Sequence, residues 1–155
     1  MKIRLANTDD IDQVLPLFVD LDTKHSLNNK DIRSIIPDDR YKRIFQDVFK
    51  RESILILTVV EIEQKIIGFS LAKISKIHNN LILKNQIIGE ILYIAIDESS
   101  KKKGIGRALM NDIEDRLTKR GATKLELRVF NFNEETLPEK LNYQPKYTVY
   151  EKYFD

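Results

Sequence analysis

The sequence predicts one mixed α/β domain, with a central, mostly antiparallel sheet flanked by helices. Three observations carry that expectation. Apolar residues recur at helical spacing in three separate stretches. Between and after them lie runs of β-branched residues with strand-like pattern. The chain has 155 residues and no linker, repeat or low-complexity segment, so residues 1–155 form a single domain.

The elements follow in the order β-α-α-β-β-β-α-β-α-β. Ile3 to Leu5 reads as a first strand. Asn7 or Thr8 caps a helix, with Asp9 and Asp10 beside its positive end. Ile11, Val14, Leu15, Phe18 and Leu21 trace its apolar face, and Pro16 predicts a kink. Thr23 to Pro37 is polar and reads as irregular. Asp38 to Lys50 forms a second helix carrying Tyr41, Ile44, Phe45, Val48 and Phe49 on one side. ILILTVVEI and KIIGFSLAKI, separated by Glu63-Gln64, read as a hairpin. Asn79-Asn80 marks a further turn. EILYIAI, Glu90 to Ile96, is apolar on both faces and predicts a strand inside the sheet. Ile105, Ala108, Leu109, Ile113 and Leu117 trace a third helix, with Gly121 as its left-handed cap. Leu125, Leu127 and Val129 make another strand. A short helix over residues 134–141 and a last strand around Tyr147 to Tyr153 complete the order.

Composition excludes several functions. There are 26 basic and 24 acidic residues, a formal net charge of +2, which lacks the basic excess of a general nucleic-acid binder. The absence of cysteine rules out disulfides, thiolate nucleophiles and cysteine-based zinc sites. His25 and His78 lack ligand spacing, so no metal site is expected. No apolar run has the length of a signal peptide or a membrane span, so a cytoplasmic setting is expected.

The chemistry concentrates in SSKKKGIGRAL, Ser99 to Leu109, which joins the inner strand to the third helix. The first N–H groups of a helix lack internal partners, and glycines let an anion approach them. Lys101, Lys102, Lys103 and Arg107 add positive charge, so a phosphate cradle outweighs a plain turn. A Walker loop requires Lys-Ser/Thr after its second glycine, and here Arg107-Ala108 follows. The dinucleotide fingerprint lacks its third glycine, since Leu109 stands there.

KKKGIG, Lys101 to Gly106, resembles the Q/R-x-x-G-x-G/A signature of the GCN5-related N-acetyltransferase (GNAT) superfamily. GEILYIAIDESSKKKGIGRAL, LELRVFNFNEET and EKLNY extend the resemblance over nearly the whole chain. It implies acetyl-CoA as acetyl donor, with its pyrophosphate on the main chain of Lys101, Lys102, Lys103, Gly104, Ile105, Gly106 and Arg107. It implies Ile94 N–H as donor to the thioester oxygen, and Ala95 and Ile96 as partners of the pantetheine arm. Asn131 or Asn133 matches an asparagine facing the cofactor; a turn asparagine is the alternative. Glu90 matches the family's glutamate base; a structural glutamate paired with a lysine is the alternative.

The resemblance implies transfer to a primary amine, a small molecule or a peptide, by direct attack in a ternary complex, and admits a homodimer. Two departures stand out. Lys101 replaces the usual Gln or Arg. The tyrosine that protonates the leaving thiolate in the family is absent from TLPEKLNY, where Pro138 takes its place; Tyr143, Tyr147 and Tyr150 are the remaining candidates. His25 reads first as a capping or surface residue and second as a substrate contact. Phe18, Tyr41, Phe45 and Phe49 read as core. YTVYEKYF is an edge strand or a dimer contact. Two rival readings remain: an acyl-CoA-binding module with little turnover, and a nucleotide-binding regulator using the lysine–glycine loop.

Overall fold

The computed structural model describes residues 1–101, 103–129 and 137–154. Its strands are β1 (Lys2–Leu5), β2 (Leu55–Ile62), β3 (Lys65–Ile77), β4 (Gln86–Ile96) and β5 (Lys124–Leu127). Its helices are α1 (Ile11–Asn28), α2 (Asp39–Phe49), α3 (Ile105–Lys119) and the short α4 (Leu137–Lys140). The strands form one sheet in the order β1-β2-β3-β4-β5. All neighbours are antiparallel except β4 and β5, which run parallel.

The sheet separates two apolar layers. Val14 and Phe18 of α1 and Tyr41 and Phe45 of α2 pack on Leu57, Val59, Phe69 and Leu71. Phe18 stacks on Phe69 with ring centroids 4.0 Å apart. On the other face, Met110, Ile113 and Leu117 of α3 pack on Ile56, Ala72 and Ile91. The aromatic set is therefore core, as its spacing predicts.

Local chemistry explains the boundaries. Asn7 and Asp10 form a reciprocal cap ahead of α1: the Asp9 N–H donates to Asn7 Oδ1 and the Asn7 N–H donates to Asp10 Oδ2, both at 2.8 Å. Arg4 joins Asp10 and Glu61, tying the cap to β1 and β2. Glu63 and Gln64 take φ of 49° and 66°, the left-handed pair that closes a two-residue hairpin. Gly121, at φ 90°, ends α3 as expected.

Three expectations change. Helix α1, which contains Pro16 as the pattern implies, continues past Leu21 to Asn28. Its polar last turns, read from sequence as irregular, are held by a tertiary ion pair between Asp22 and Arg40. Strand β4 begins at Gln86 because Gln86–Gly89 pair with Ile74–Ile77 of the long β3. The final strand around Tyr147 to Tyr153 does not form. That segment is irregular, with the Tyr153 hydroxyl donating to Asp31 at 3.2 Å.

Candidate acyl-transfer site

The site begins with a register shift. Leu71 lies opposite Tyr93 and Ala72 opposite Ile91, so Leu92 is an extra residue in β4. Such a bulge bends its strand and ends regular pairing. Strand β5 pairs with β4 only over Ile88–Ile91. Beyond Ile91, among the described residues, that side of β4 has no neighbouring strand.

Alternation decides which amides face the gap. The Asp97 N–H donates to the Ile67 carbonyl at 2.8 Å, so Asp97, Ala95 and Tyr93 turn their main-chain groups to β3. Ile94 and Ile96 turn theirs to the open edge. Ala95, expected to bind the pantetheine arm, instead has its polar main-chain atoms directed to Phe69. Any added-strand pairing there falls to Ile94 and Ile96.

The open edge leads into the glycine loop. Gly104 takes φ 76° directly before α3, and a Cβ on it would meet no atom within 4 Å. The N–H groups of Ile105, Gly106 and Arg107 have no main-chain partner among the described residues. Ile105 is 3% exposed and packs with Val60, Ile67 and Leu109. The apolar residue between the glycines therefore anchors the loop. Lys103 and Arg107 are exposed beside it. Lys101 lies 3.0 Å from Glu98, which also holds Lys24 at 2.7 Å. Lys24 first, then Lys101, holds the Glu98 carboxyl below its usual range. Lys102, Asn131 and Asn133 lie outside the described residues. A cradle with free N–H groups and an unpaired strand edge fits a ligand with a pyrophosphate and an extended amide-bearing arm.

Glu90 sits just before the bulge. Gly89 and Ile91 meet Leu117 and the α3 layer, so Glu90 projects to the α1–α2 face. Lys73, its cross-strand partner, stands 3.0 Å away. Next to it in the parallel register is Glu126, held below its usual range first by Lys124 and then by Lys146.

A polar cluster on the same face escaped the sequence reading. Arg40 donates from Nε and Nη2 to Asp22 at 2.7 and 3.0 Å, and from Nη2 to the Tyr93 hydroxyl at 3.1 Å. Asp22 is 5% exposed. Burial first, with Asp22 adding, pushes the Tyr41 hydroxyl up to about 12. Burial lowers His25 below its usual value, Asp22 opposing and Arg40 assisting. His25 is half-buried one turn after Asp22 on α1. Asp22 and His25 are three residues apart on one helix turn. That spacing, in a segment too polar for a core, was the available signal.

The candidates for a thiolate acid differ in setting. The Tyr143 hydroxyl donates to Glu114 at 2.7 Å on the α3 side, and burial first, then Glu114, raises it above its usual value. Tyr147 and Tyr150 are exposed. Asn142 takes φ 63°, the left-handed cap expected in place of glycine. Two other concavities, of about 480 and 610 Å³, lie by α2 and are lined by neither β4 nor the glycine loop. Among the described residues no helix is long and apolar enough to cross a membrane.

No curated protein matches the chain in sequence. Solved structures match its fold. A point mutant of the BH1408 protein from Bacillus halodurans superposes with a TM-score of 0.89 at 22% identity, covering 99% of both chains. Glucosamine-6-phosphate N-acetyltransferase from Arabidopsis thaliana gives 0.70 at 21% identity, covering 99% of this chain and 98% of its own. Ribosomal-protein-alanine N-acetyltransferase from Brucella melitensis gives 0.71 at 18%, with the same coverage. The family model described as acetyltransferase (GNAT) matches residues 21–138, a span holding the bulged strand, the open edge and the glycine loop. The chain belongs to the acetyltransferase (GNAT) family.

Proposed function

We propose that the protein is an acetyl-CoA-dependent N-acetyltransferase that moves the acetyl group to a primary amine by direct attack in a ternary complex. The observation that supports it most is the open edge of β4, which carries the Ile94 amide and leads into the glycine cradle. Bound acetyl-CoA supplies an activated acyl carbon as a thioester. The N–H groups of Ile105, Gly106 and Arg107 hold its pyrophosphate. Ile94 and Ile96 hold the arm along the open edge as an added strand would be held. The Ile94 N–H donates to the thioester oxygen, where negative charge grows during attack.

Only a neutral amine attacks, and amines with a pKa of about 10.4 arrive protonated. Glu90, on the α1–α2 face, takes that proton directly or through water. The amine nitrogen bonds to the acyl carbon, the carbon–sulfur bond breaks, and the second proton of the nitrogen passes to the departing thiolate, directly or through water. A thiol of pKa about 8.5 is a good enough leaving group to depart without a strong acid.

Release of the coenzyme A thiol, followed against an amine panel, tests this. Glu90→Gln lowers kcat by about 10²–10⁴, the usual worth of a general base, and leaves the acetyl-CoA Kd unchanged. A variant with wild-type kcat removes Glu90 from the mechanism. The second reading, a binding module without turnover, is favoured by the Lys73–Glu90 pair and by Pro138 in place of the tyrosine. Tight acetyl-CoA binding without thiol release for any amine establishes that reading instead.

A further inference from the structure

The Asp22–Arg40–Tyr93 cluster has no part in the acyl chemistry above, yet its Tyr93 is the residue directly before Ile94. Its charges are arranged unevenly. Four carboxylates near the open edge are matched by cations: Asp22 by Arg40, Glu90 by Lys73, Glu126 by Lys124 and Lys146, and Glu98 by Lys24 and Lys101; Asp97, at the end of β4, accepts from the Ser99 hydroxyl.

Arg40 is different. Asp22 fixes its Nε and Nη2, and Tyr93 accepts from Nη2 as well. Its Nη1 has no hydrogen-bond partner among the described residues, and the side chain is 32% exposed. A guanidinium held on two of its nitrogens points the N–H groups of the third in a fixed direction. That geometry suits the oxygens of a carboxylate or phosphate. Asp22 cancels most of the long-range charge, so Arg40 selects by short-range hydrogen bonding rather than by steering.

We propose that Arg40 Nη1 receives an anionic group of the acceptor, so that the substrate is an amine bearing a carboxylate or a phosphate near the nitrogen. This rests on the acetyltransferase reading given above. Tyr93 acts as a positioning residue, its hydroxyl accepting from Arg40 Nη2 at 3.1 Å.

Thiol release is measured with two matched pairs and a polycation. The pairs are an α-amino acid against its amide, and a hexosamine phosphate against the free hexosamine; the polycation is spermidine. The expected result is a kcat/KM higher for the anionic member of at least one pair by about 10- to 100-fold, carried mainly by KM, as a charge-assisted hydrogen bond gives. The pair that shows it tells carboxylate from phosphate. Arg40→Lys keeps the charge and loses the fork, so the ratio collapses to below about threefold, while the acetyl-CoA Kd holds. If Arg40→Lys fails to fold by circular dichroism, Tyr93→Phe serves: the hydroxyl is lost and the ratio falls in the same direction.

Equal or better use of the neutral amines or of spermidine overturns the inference and leaves the acetyltransferase reading intact. So does a ratio that survives both variants. No thiol release with any amine overturns both.

Discussion

Replacing Gly68 with alanine tests whether the open edge of β4 depends on the backbone beside it. Gly68 pairs with Ile96 across β3 and β4. A Cβ at Gly68 would stand 2.8 Å from the Ala95 carbonyl oxygen, whereas ordinary contact begins at 3.4 Å, so the strands must part by about 0.6 Å. The obstacle is main chain, which cannot rotate away. Overpacking of this kind costs about 1–3 kcal/mol. For a chain of this size each kcal/mol lowers Tm by roughly 2–4 °C, so a fall of about 2–12 °C is expected. The functional effect is larger than the stability effect suggests. Ala95 lies between Ile94 and Ile96, and a displacement approaching 1 Å at a reacting centre costs up to about 10²-fold in rate. Gly68→Ala therefore lowers kcat/KM for thiol release by about tenfold or more at a temperature where the variant is fully folded. Differential scanning calorimetry and steady-state kinetics read the two effects separately. A wild-type Tm with wild-type kinetics would refute the close approach and the coupling built on it.

A second outcome concerns the scaffold. The hydroxyls of Thr58 and Ser70 are fully buried and 2.6 Å apart, each the other's partner. Thr58→Val or Ser70→Ala alone leaves one hydroxyl unmatched and costs about 1–3 kcal/mol in urea denaturation, while the double variant costs clearly less than the sum; strict additivity would show the pair contributes nothing. The third is a pH effect. Burial holds His25 below its ordinary 6.5, so its stabilising part is fully present above pH 6.5 and is lost as pH falls through the lower folded value. His25→Gln flattens the stability profile on the acid side of pH 6.5, and parallel profiles for the two proteins would exclude His25 as the source.

What was legible in the sequence was whatever local patterning controls. Val14 and Phe18, or Met110, Ile113 and Leu117, declare a buried helix face by spacing alone. Gly104 and Ile105 announce a cradle because glycine conformation and an apolar anchor are properties of neighbouring residues. The Leu92 bulge left no such mark. EILYIAI is apolar on both faces, and only pairing with Leu71 and Ala72 shows that one residue is extra. The turning of Ala95 away from the gap follows from that count. The Asp22–Arg40 pair spans two helices, and its partners are 18 residues apart, so the polar end of α1 read as loop. The last strand misled for the opposite reason. YTVYEKYF has strand composition, but composition does not supply a neighbour to pair with, and Tyr147, Val149 and Tyr150 remain exposed.

The bulge also places a hazard in the middle of the sheet. Most proteins keep unpaired strand edges at the rim, where charges or covering segments blunt them. Here the stretch Ile94 to Ile96, which has no neighbouring strand on that side among the described residues, is apolar and lies inside the sheet, followed by the charge of Asp97. An extended peptide that enters the gap finds unpaired main-chain groups to bond. On the proposed function, acetyl-CoA bound along this edge raises Tm in proportion to the logarithm of its concentration, which a thermal-shift titration reads.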